Sequence, residues 1–145
     1  LKQDSVDGYY LPRLSYVCGQ PIRHGGWYPD HILRLFKRGQ AKFTEDLVHE
    51  KVLLKGATGT LISHIEHYSY RNFGQMIKKY DYYSELGAQK LYAQGKKGGF
   101  CKALTSGIGA FLKLYLLKGG FLDGKIGFVV AVTSAETAFY KYLKL

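Results

Sequence analysis

SYRNFGQMIKKY, residues 69–80, is the stretch in which the sequence pattern changes from strand-like to helical. Before it, TGTLISHIEHYSY (residues 58–70) alternates and is rich in β-branched residues, which predicts a strand. Asn72 then fits a helix N-cap. Four apolar residues follow at the spacing of one helical face: Phe73, Met76, Ile77 and Tyr80. Because strands come first and helices follow, the sequence predicts an α+β fold.

The residues before this stretch predict short strands separated by turns. Residues 8–18 predict an extended segment, which Pro12 favours as an edge strand. Residues 19–30 carry two prolines and three glycines and predict a loop. Residues 31–39 alternate and predict a strand, whereas residues 41–54 begin as a strand and then become ambiguous.

The residues after this stretch predict three helices. The first should run to about residue 94 and end at Gly95. The second should cover roughly residues 100–117, and the third should begin near residue 125 and end near residue 143. GGFLDG, residues 119–124, separates the last two because its glycines interrupt the helical pattern.

The net charge of +10 at pH 7 favours a polyanionic partner, either nucleic acid, anionic lipid or a phosphorylated substrate. From residue 96 onward the sequence contains eight lysines and only two acidic residues. These lysines are interleaved with Leu, Phe and Val at helical spacing. That mixture suits a membrane interface better than a nucleic acid. We therefore predict amphipathic, membrane-associated helices over residues 72–145, an anionic membrane surface as a partner, and no nucleic-acid partner.

Two further observations narrow the class of protein. Cys18 and Cys101 are far apart and fit no metal-binding spacing, which favours two reduced thiols. No uninterrupted apolar run of transmembrane length is present, so the sequence does not predict a secure membrane span.

The chemically informative stretch is GGWYPDHILRLFKRGQAKFTEDLVHE, residues 25–50. It brings together the side chains that a sugar site needs: Trp27, Tyr28, Asp30, Arg34, Glu45, Asp46, His49 and Glu50. An aromatic ring stacks on a pyranose, carboxylates accept hydrogen bonds from hydroxyls, and one carboxylate can take the proton of an attacking hydroxyl. An arginine offsets phosphate charge.

Each of these side chains also has an ordinary structural interpretation. Trp27 is about equally expected to cap the core. Arg34 could form a structural ion pair, and a lone histidine such as His49 is more often a surface or core residue than a catalyst. Asp46 and Glu50 are four residues apart and share a face if the segment is helical, but such carboxylates are usually solvated.

Several segments together resemble family 2 glycosyltransferases of the lipopolysaccharide core type, the kind described as β-1,4-glucosyltransferases. The matching pieces, in order along nearly the whole chain, are YLPRLSYVCGQPIRHGGWYPD, LRLFKRG, FTEDLVHE, SELGAQKLYAQGKK and KGGFLDGKIGFVVAVTSAETAFYKYLK. The order of GGWYPD, RLF and VHE is fairly specific, and the terminal signature of GFLDG followed by GF and FYKY is more specific still.

The resemblance implies a GT-A fold of which this chain is the acceptor-side half, with strands and the catalytic loop over residues 1–71. The enzyme would transfer a sugar, glucose by this resemblance, from a nucleotide-sugar donor to a lipid-linked core acceptor, with inversion at the anomeric carbon. It would be peripheral, at the cytoplasmic face of the bacterial inner membrane. The nucleotide-binding half and the Asp-x-Asp motif are not in this sequence. We therefore expect a fragment or a truncated gene product that is inactive alone.

The resemblance also implies residue roles. Glu50 of VHE is the favoured catalytic base, and Asp46 is the rival because TED resembles the base motif of cellulose synthases. A Mg²⁺ or Mn²⁺ ion on the donor diphosphate is expected, with His67 as a speculative ligand for which a structural role is favoured. The remaining candidates for substrate binding come from the same stretch: Trp27, Tyr28, Asp30, Arg34 and His49. The alternative functions are a non-catalytic membrane-binding or interaction module and, from charge alone, an RNA-binding domain.

Overall fold

The computed structural model describes residues 6–44 and 52–145, and its mixture of strands and helices confirms the predicted α+β class. The described chain divides into two compact units. The strand unit comprises residues 6–14, 29–44 and 52–67, and the helical unit comprises residues 15–28 and 68–145. The predicted functional division after residue 71 stays a prediction.

The strands and helices follow the predicted order. The strands are β1 (Gly8–Val17), β2 (Gln20–Ile22), β3 (Asp30–Phe36), β4 (Ala41–Phe43), β5 (Val52–Leu54), β6 (Thr58–Thr60) and β7 (Ile65–Tyr70). The helices are α1 (Phe73–Ala93), α2 (Phe100–Leu112) and α3 (Gly124–Leu143). A π-helical turn (Lys113–Leu117) extends α2, and a 3₁₀ turn (Gly120–Asp123) precedes α3.

In the strand unit, β1 is an interior strand. Its residues 8–13 pair antiparallel with β3, and its residues 8–10 also pair parallel with β6. The predicted edge position is therefore wrong. Pro12 is tolerated because it lies two residues past Tyr10, the last residue that pairs with β6. Separately, β4 and β5 form an antiparallel pair.

Asp7 fastens the start of β1 within the same unit. Its carboxylate accepts hydrogen bonds from Lys37 Nζ and from the backbone N–H of Ala57, each at 3.1 Å. The hydrogen bond from Lys37 is the main reason that the pKa of Asp7 lies below its usual value. This side chain therefore ties β1 to the residues that follow β3 and precede β6.

In the helical unit, the end of β1 continues into a hairpin. Residues 15–17 pair with β2, and the two turn residues Cys18 and Gly19 have φ angles of 50° and 80°. Positive φ at both central residues is the geometry of the tight hairpin turns that match strand twist. The predicted loop over residues 19–30 thus contains a short strand.

Helix α1 begins as the sequence predicts. The side chain of Asn72 accepts a hydrogen bond from Gln75 N at 2.9 Å, and Gln75 Oε1 accepts one from Arg71 N at 3.1 Å. This reciprocal arrangement satisfies two backbone donors at the start of the helix. Met76, one turn inside, is buried in a core cluster with Val17, Ile22, Tyr70, Ile126 and Val130.

Helices α2 and α3 pack closely because small residues face the contact. Ala103 is fully buried. A Cβ added to Gly107 would lie 3.2 Å from Phe139 Cβ and 3.3 Å from the carbonyl oxygen of Ala135. The backbone of α2 therefore approaches α3 more closely than a larger residue would allow.

Candidate functional site

A cavity of about 320 Å³ lies in the strand unit, beside the first residues of β3. Its lining residues are Tyr10, Asp30, His31, Ile32, Leu33, Arg34 and Val52. Two of the predicted substrate-binding residues, Asp30 and Arg34, are therefore brought together. The predicted residues Asp46, His49 and Glu50 lie outside the described residues, as does Glu45, and that segment joins β4 to Val52 of the cavity lining.

Arg34 occupies a β-bulge. Tyr9 pairs with Leu35 and Tyr10 pairs with Leu33, so Arg34 is the extra residue on β3. A bulge interrupts the in-and-out alternation of a strand and re-aims side chains. Accordingly Leu33 is buried whereas Leu35 is 54% exposed, and the alternation predicted for residues 31–39 fails at this point.

Arg34 is exposed and forms no ion pair with any residue of ranges 6–44 and 52–145. The structural ion pair that is usual for an arginine in a strand is therefore not present among those residues. A guanidinium beside a cavity offers several hydrogen-bond donors to a carboxylate or a phosphate. The position suits ligand contact.

Asp30 has a partner that the sequence did not reveal. Arg13 faces it across the β1–β3 pairing, and Arg13 Nη2 donates to Asp30 Oδ2. Within the described part of the chain, Arg13 Nε is buried without a hydrogen-bond partner. Asp30 therefore lines the cavity as an ion-paired carboxylate, and Arg13 is the residue that orients this carboxylate.

Trp27 and Tyr28 belong to the helical unit, and both are half-buried. Trp27 packs against the core cluster of that unit, which includes Ile22, Tyr70 and Met76. This contact matches the core-capping interpretation of Trp27, and sugar stacking by either ring stays a prediction.

His67 lies on β7 and is exposed. His64 precedes that strand instead of lying within it, because the predicted strand over residues 58–70 is divided into β6 and β7. Over the described ranges, no group of three or more His, Cys, Asp or Glu side chains is arranged to hold a metal ion. These residues do not by themselves fit the expected Mg²⁺ or Mn²⁺ ion, and His67 as a ligand stays a prediction.

Sequence comparison finds relatives that are all named as glycosyltransferases. LpsC of Rhizobium meliloti (strain 1021), a lipopolysaccharide core biosynthesis glycosyltransferase, is 28% identical in a match that covers 98% of this chain and 53% of LpsC. The uncharacterized glycosyltransferases RP128 of Rickettsia prowazekii (strain Madrid E) and RT0209 of Rickettsia typhi (strain ATCC VR-144 / Wilmington) are each 34% identical over 79 residues. Those matches cover 54% of this chain and 27% of each relative.

The chain is similar to glycosyltransferases. It spans about half the length of LpsC. No family model matches it, and no solved structure matches it significantly. The predicted relationship to glycosyltransferases, one of them in lipopolysaccharide core biosynthesis, is confirmed. The β-1,4-glucosyltransferase type stays a prediction.

Proposed function

We propose that this chain is the acceptor-side part of an inverting glycosyltransferase that transfers a sugar, most simply glucose, from a nucleotide sugar to a lipid-linked lipopolysaccharide core acceptor. The observation that carries the proposal is the bulge that sets Arg34 beside a cavity whose lining also includes Val52. The acidic segment with Asp46 and Glu50 leads directly into that residue. The similarity to LpsC over 98% of the chain supports it.

The chemistry assigns separate roles to these groups. Asp30 accepts a hydrogen bond from a sugar hydroxyl, and Arg34 offsets the negative charge of a phosphorylated substrate. Glu50, or Asp46 in its place, takes the proton of the attacking acceptor hydroxyl. The acceptor oxygen then bonds to the anomeric carbon while the bond from that carbon to the nucleoside diphosphate breaks. We expect residues 1–145 alone not to complete this transfer.

Arg34→Ala in the full-length protein should lower kcat/KM for sugar transfer by roughly 10-fold, because a charge-assisted hydrogen bond is lost from the substrate. Arg38→Ala removes the same charge from an exposed turn residue outside the cavity lining, and it should leave the rate within about two-fold. Transfer from labelled nucleotide sugar to extracted core lipid gives both rates. Equal rates in the two variants would remove Arg34 from the site.

The helical unit supports peripheral attachment of this enzyme to an anionic membrane. Exposed apolar side chains recur every four residues along α2 and into the π-helical turn: Phe100, Leu104, Ile108, Leu112 and Leu116. Lysines flank them at positions 102, 113 and 118. An exposed apolar row bordered by lysines suits the boundary between acyl chains and anionic headgroups.

The segment Phe100–Leu117 is also long and apolar enough to cross a membrane by length and composition, with a mean hydropathy of 1.3 and only 11% of it buried. The core helix of a soluble protein can have the same length and composition, but most of such a helix is buried. This segment also carries Lys102 and Lys113, and α2 packs along α3 at Gly107. We propose that this segment lies in the membrane interface instead of crossing the bilayer. Its lysines near both ends and its packing against α3 favour that position.

The double variant Leu112→Gln, Leu116→Gln should weaken binding to vesicles of phosphatidylglycerol and phosphatidylcholine at least roughly 10-fold, because two exposed apolar side chains no longer leave water. Tyr92→Gln is the control, since Tyr92 is 75% exposed on a different helix. Vesicle co-sedimentation measures both. If the double variant binds vesicles normally but the full-length protein loses stability, the apolar row faces another part of the protein instead of lipid.

A further inference from the structure

The GFLDG segment holds a loop of the helical unit in place through one carboxylate. Asp123 Oδ2 accepts hydrogen bonds from the backbone N–H of Arg23 at 3.1 Å and of His24 at 2.8 Å, and Oδ1 lies 2.8 Å from His24 Nδ1. The Asp123 side chain is only 6% exposed, whereas that of His24 is 39% exposed. The imidazole is therefore fixed by a nearly buried carboxylate and keeps an accessible edge.

Lys118 is held against the same loop. Its carbonyl oxygen accepts a hydrogen bond from Gly25 N at 2.9 Å. Its side chain covers Gly26, where a Cβ would come within 2.7 Å of Lys118 Cδ. Gly26 also has a φ of 79°, a left-handed backbone conformation that favours glycine here.

Three basic residues therefore belong to this short loop or contact it: Arg23, His24 and Lys118. The ammonium of Lys118 and the guanidinium of Arg23 form no ion pair with any described residue. Asp123 uses its carboxylate on the loop backbone and His24, so it does not neutralise these two cations directly. The lysine ammonium, the arginine and the fixed imidazole offer the positive charge and hydrogen-bond donors that a phosphate group binds.

We propose that the loop of residues 23–26 and Lys118 form a binding site for a phosphate group, with Asp123 positioning His24. The favoured source is a phosphomonoester at a lipid headgroup, and a nucleoside diphosphate shares the same chemistry. Three exposed apolar side chains adjoin the site along the chain: Leu117, Phe121 and Leu122. If these enter the acyl region, the cations next to them in sequence lie near headgroup phosphates. The lipid source rests on the membrane attachment proposed above.

The test compares headgroups at equal surface charge. The full chain is titrated with phosphatidylcholine vesicles that contain either phosphatidic acid, with an exposed phosphomonoester, or phosphatidylserine. We expect a preference of roughly 10-fold for phosphatidic acid, since one extra charge-assisted contact is worth about this much. Lys118→Ala should abolish the preference. Lys125→Ala removes an exposed lysine outside the loop and should weaken binding to both vesicles alike while keeping the preference.

Asp123→Asn tests whether Asp123 positions His24 for ligand binding or only holds the loop in place. It keeps the size of the side chain but changes its charge and its hydrogen bonding to His24. If Asp123 positions His24 for phosphate, the preference for phosphatidic acid should fall in a variant whose circular dichroism is unchanged. His24→Lys, which places a cation at this position, should keep the preference, and His24→Ala should lose it.

Two results would overturn the proposal. The first is equal affinity of the native chain for both vesicles together with no binding of uridine diphosphate. The second is a full headgroup preference in Lys118→Ala. Binding of uridine diphosphate that depends on Lys118, with no headgroup preference, would retain the phosphate site and assign it to the donor. Failure of sugar transfer by the full-length protein would instead reject the proposed function, and it would leave the headgroup preference intact.

Discussion

Glu50→Gln in the full-length protein should lower the rate of sugar transfer by roughly 10²–10⁴-fold, the range that a positioned general base contributes. Glutamine keeps the shape of the side chain but cannot take the proton of the acceptor hydroxyl. If Asp46 is the base instead, Asp46→Asn should cause this loss and Glu50→Gln should cause a smaller one. Either loss should appear in kcat more than in KM, because proton removal contributes to the transition state and little to ground-state binding.

Glu45→Gln is the matched control for these variants, since it removes a neighbouring carboxylate of the same segment. It should leave kcat within about two-fold if Glu45 is only a solvated acid. Single-turnover measurement with labelled donor sugar separates the chemical step from product release. Normal turnover in both Glu50→Gln and Asp46→Asn would show that neither carboxylate is the base.

Local signals in the sequence predicted much of the helical part of the fold. Asn72 and Gln75 are three residues apart, so their capping bonds are local contacts. The ends of α1, α2 and α3 follow from glycines and from the apolar spacing, which are also local. These elements needed no knowledge of distant contacts.

Features that depend on pairing between distant residues were not predicted. The bulge at Arg34 exists only in the register of β3 against β1, and the Arg13–Asp30 ion pair joins two strands. His24 and Asp123 are 99 residues apart, so neither alone indicated a site. Each of these contacts belongs to tertiary structure, and each changes the role that the isolated residue had suggested.

The turn that carries Asp123 packs against Gly127 of α3, so a substitution of this glycine should have a large effect on stability. Gly127→Ala in α3 should destabilise the protein by about 3 kcal/mol. An added Cβ would clash with the carbonyl oxygen of Gly120 and lie 3.0 Å from Asp123 Cβ. Overpacking against backbone typically costs about 1–3 kcal/mol, and displacement of a charged hydrogen-bonding group adds about 1.5–3 kcal/mol. The helical preference of alanine offsets about 1 kcal/mol of this.

Gly109→Ala is the matched control, because Gly109 lies in α2 with nothing within 4 Å of an added Cβ. It should stabilise the protein by up to about 1 kcal/mol, through the helical preference of alanine alone. Urea unfolding of both variants therefore gives shifts of opposite sign for the same chemical change. A stabilising Gly127→Ala would mean that the 3₁₀ turn can move away at little cost, and that Asp123 does not rigidly fix His24. A destabilising one would show that the turn carrying Asp123 is held firmly against α3.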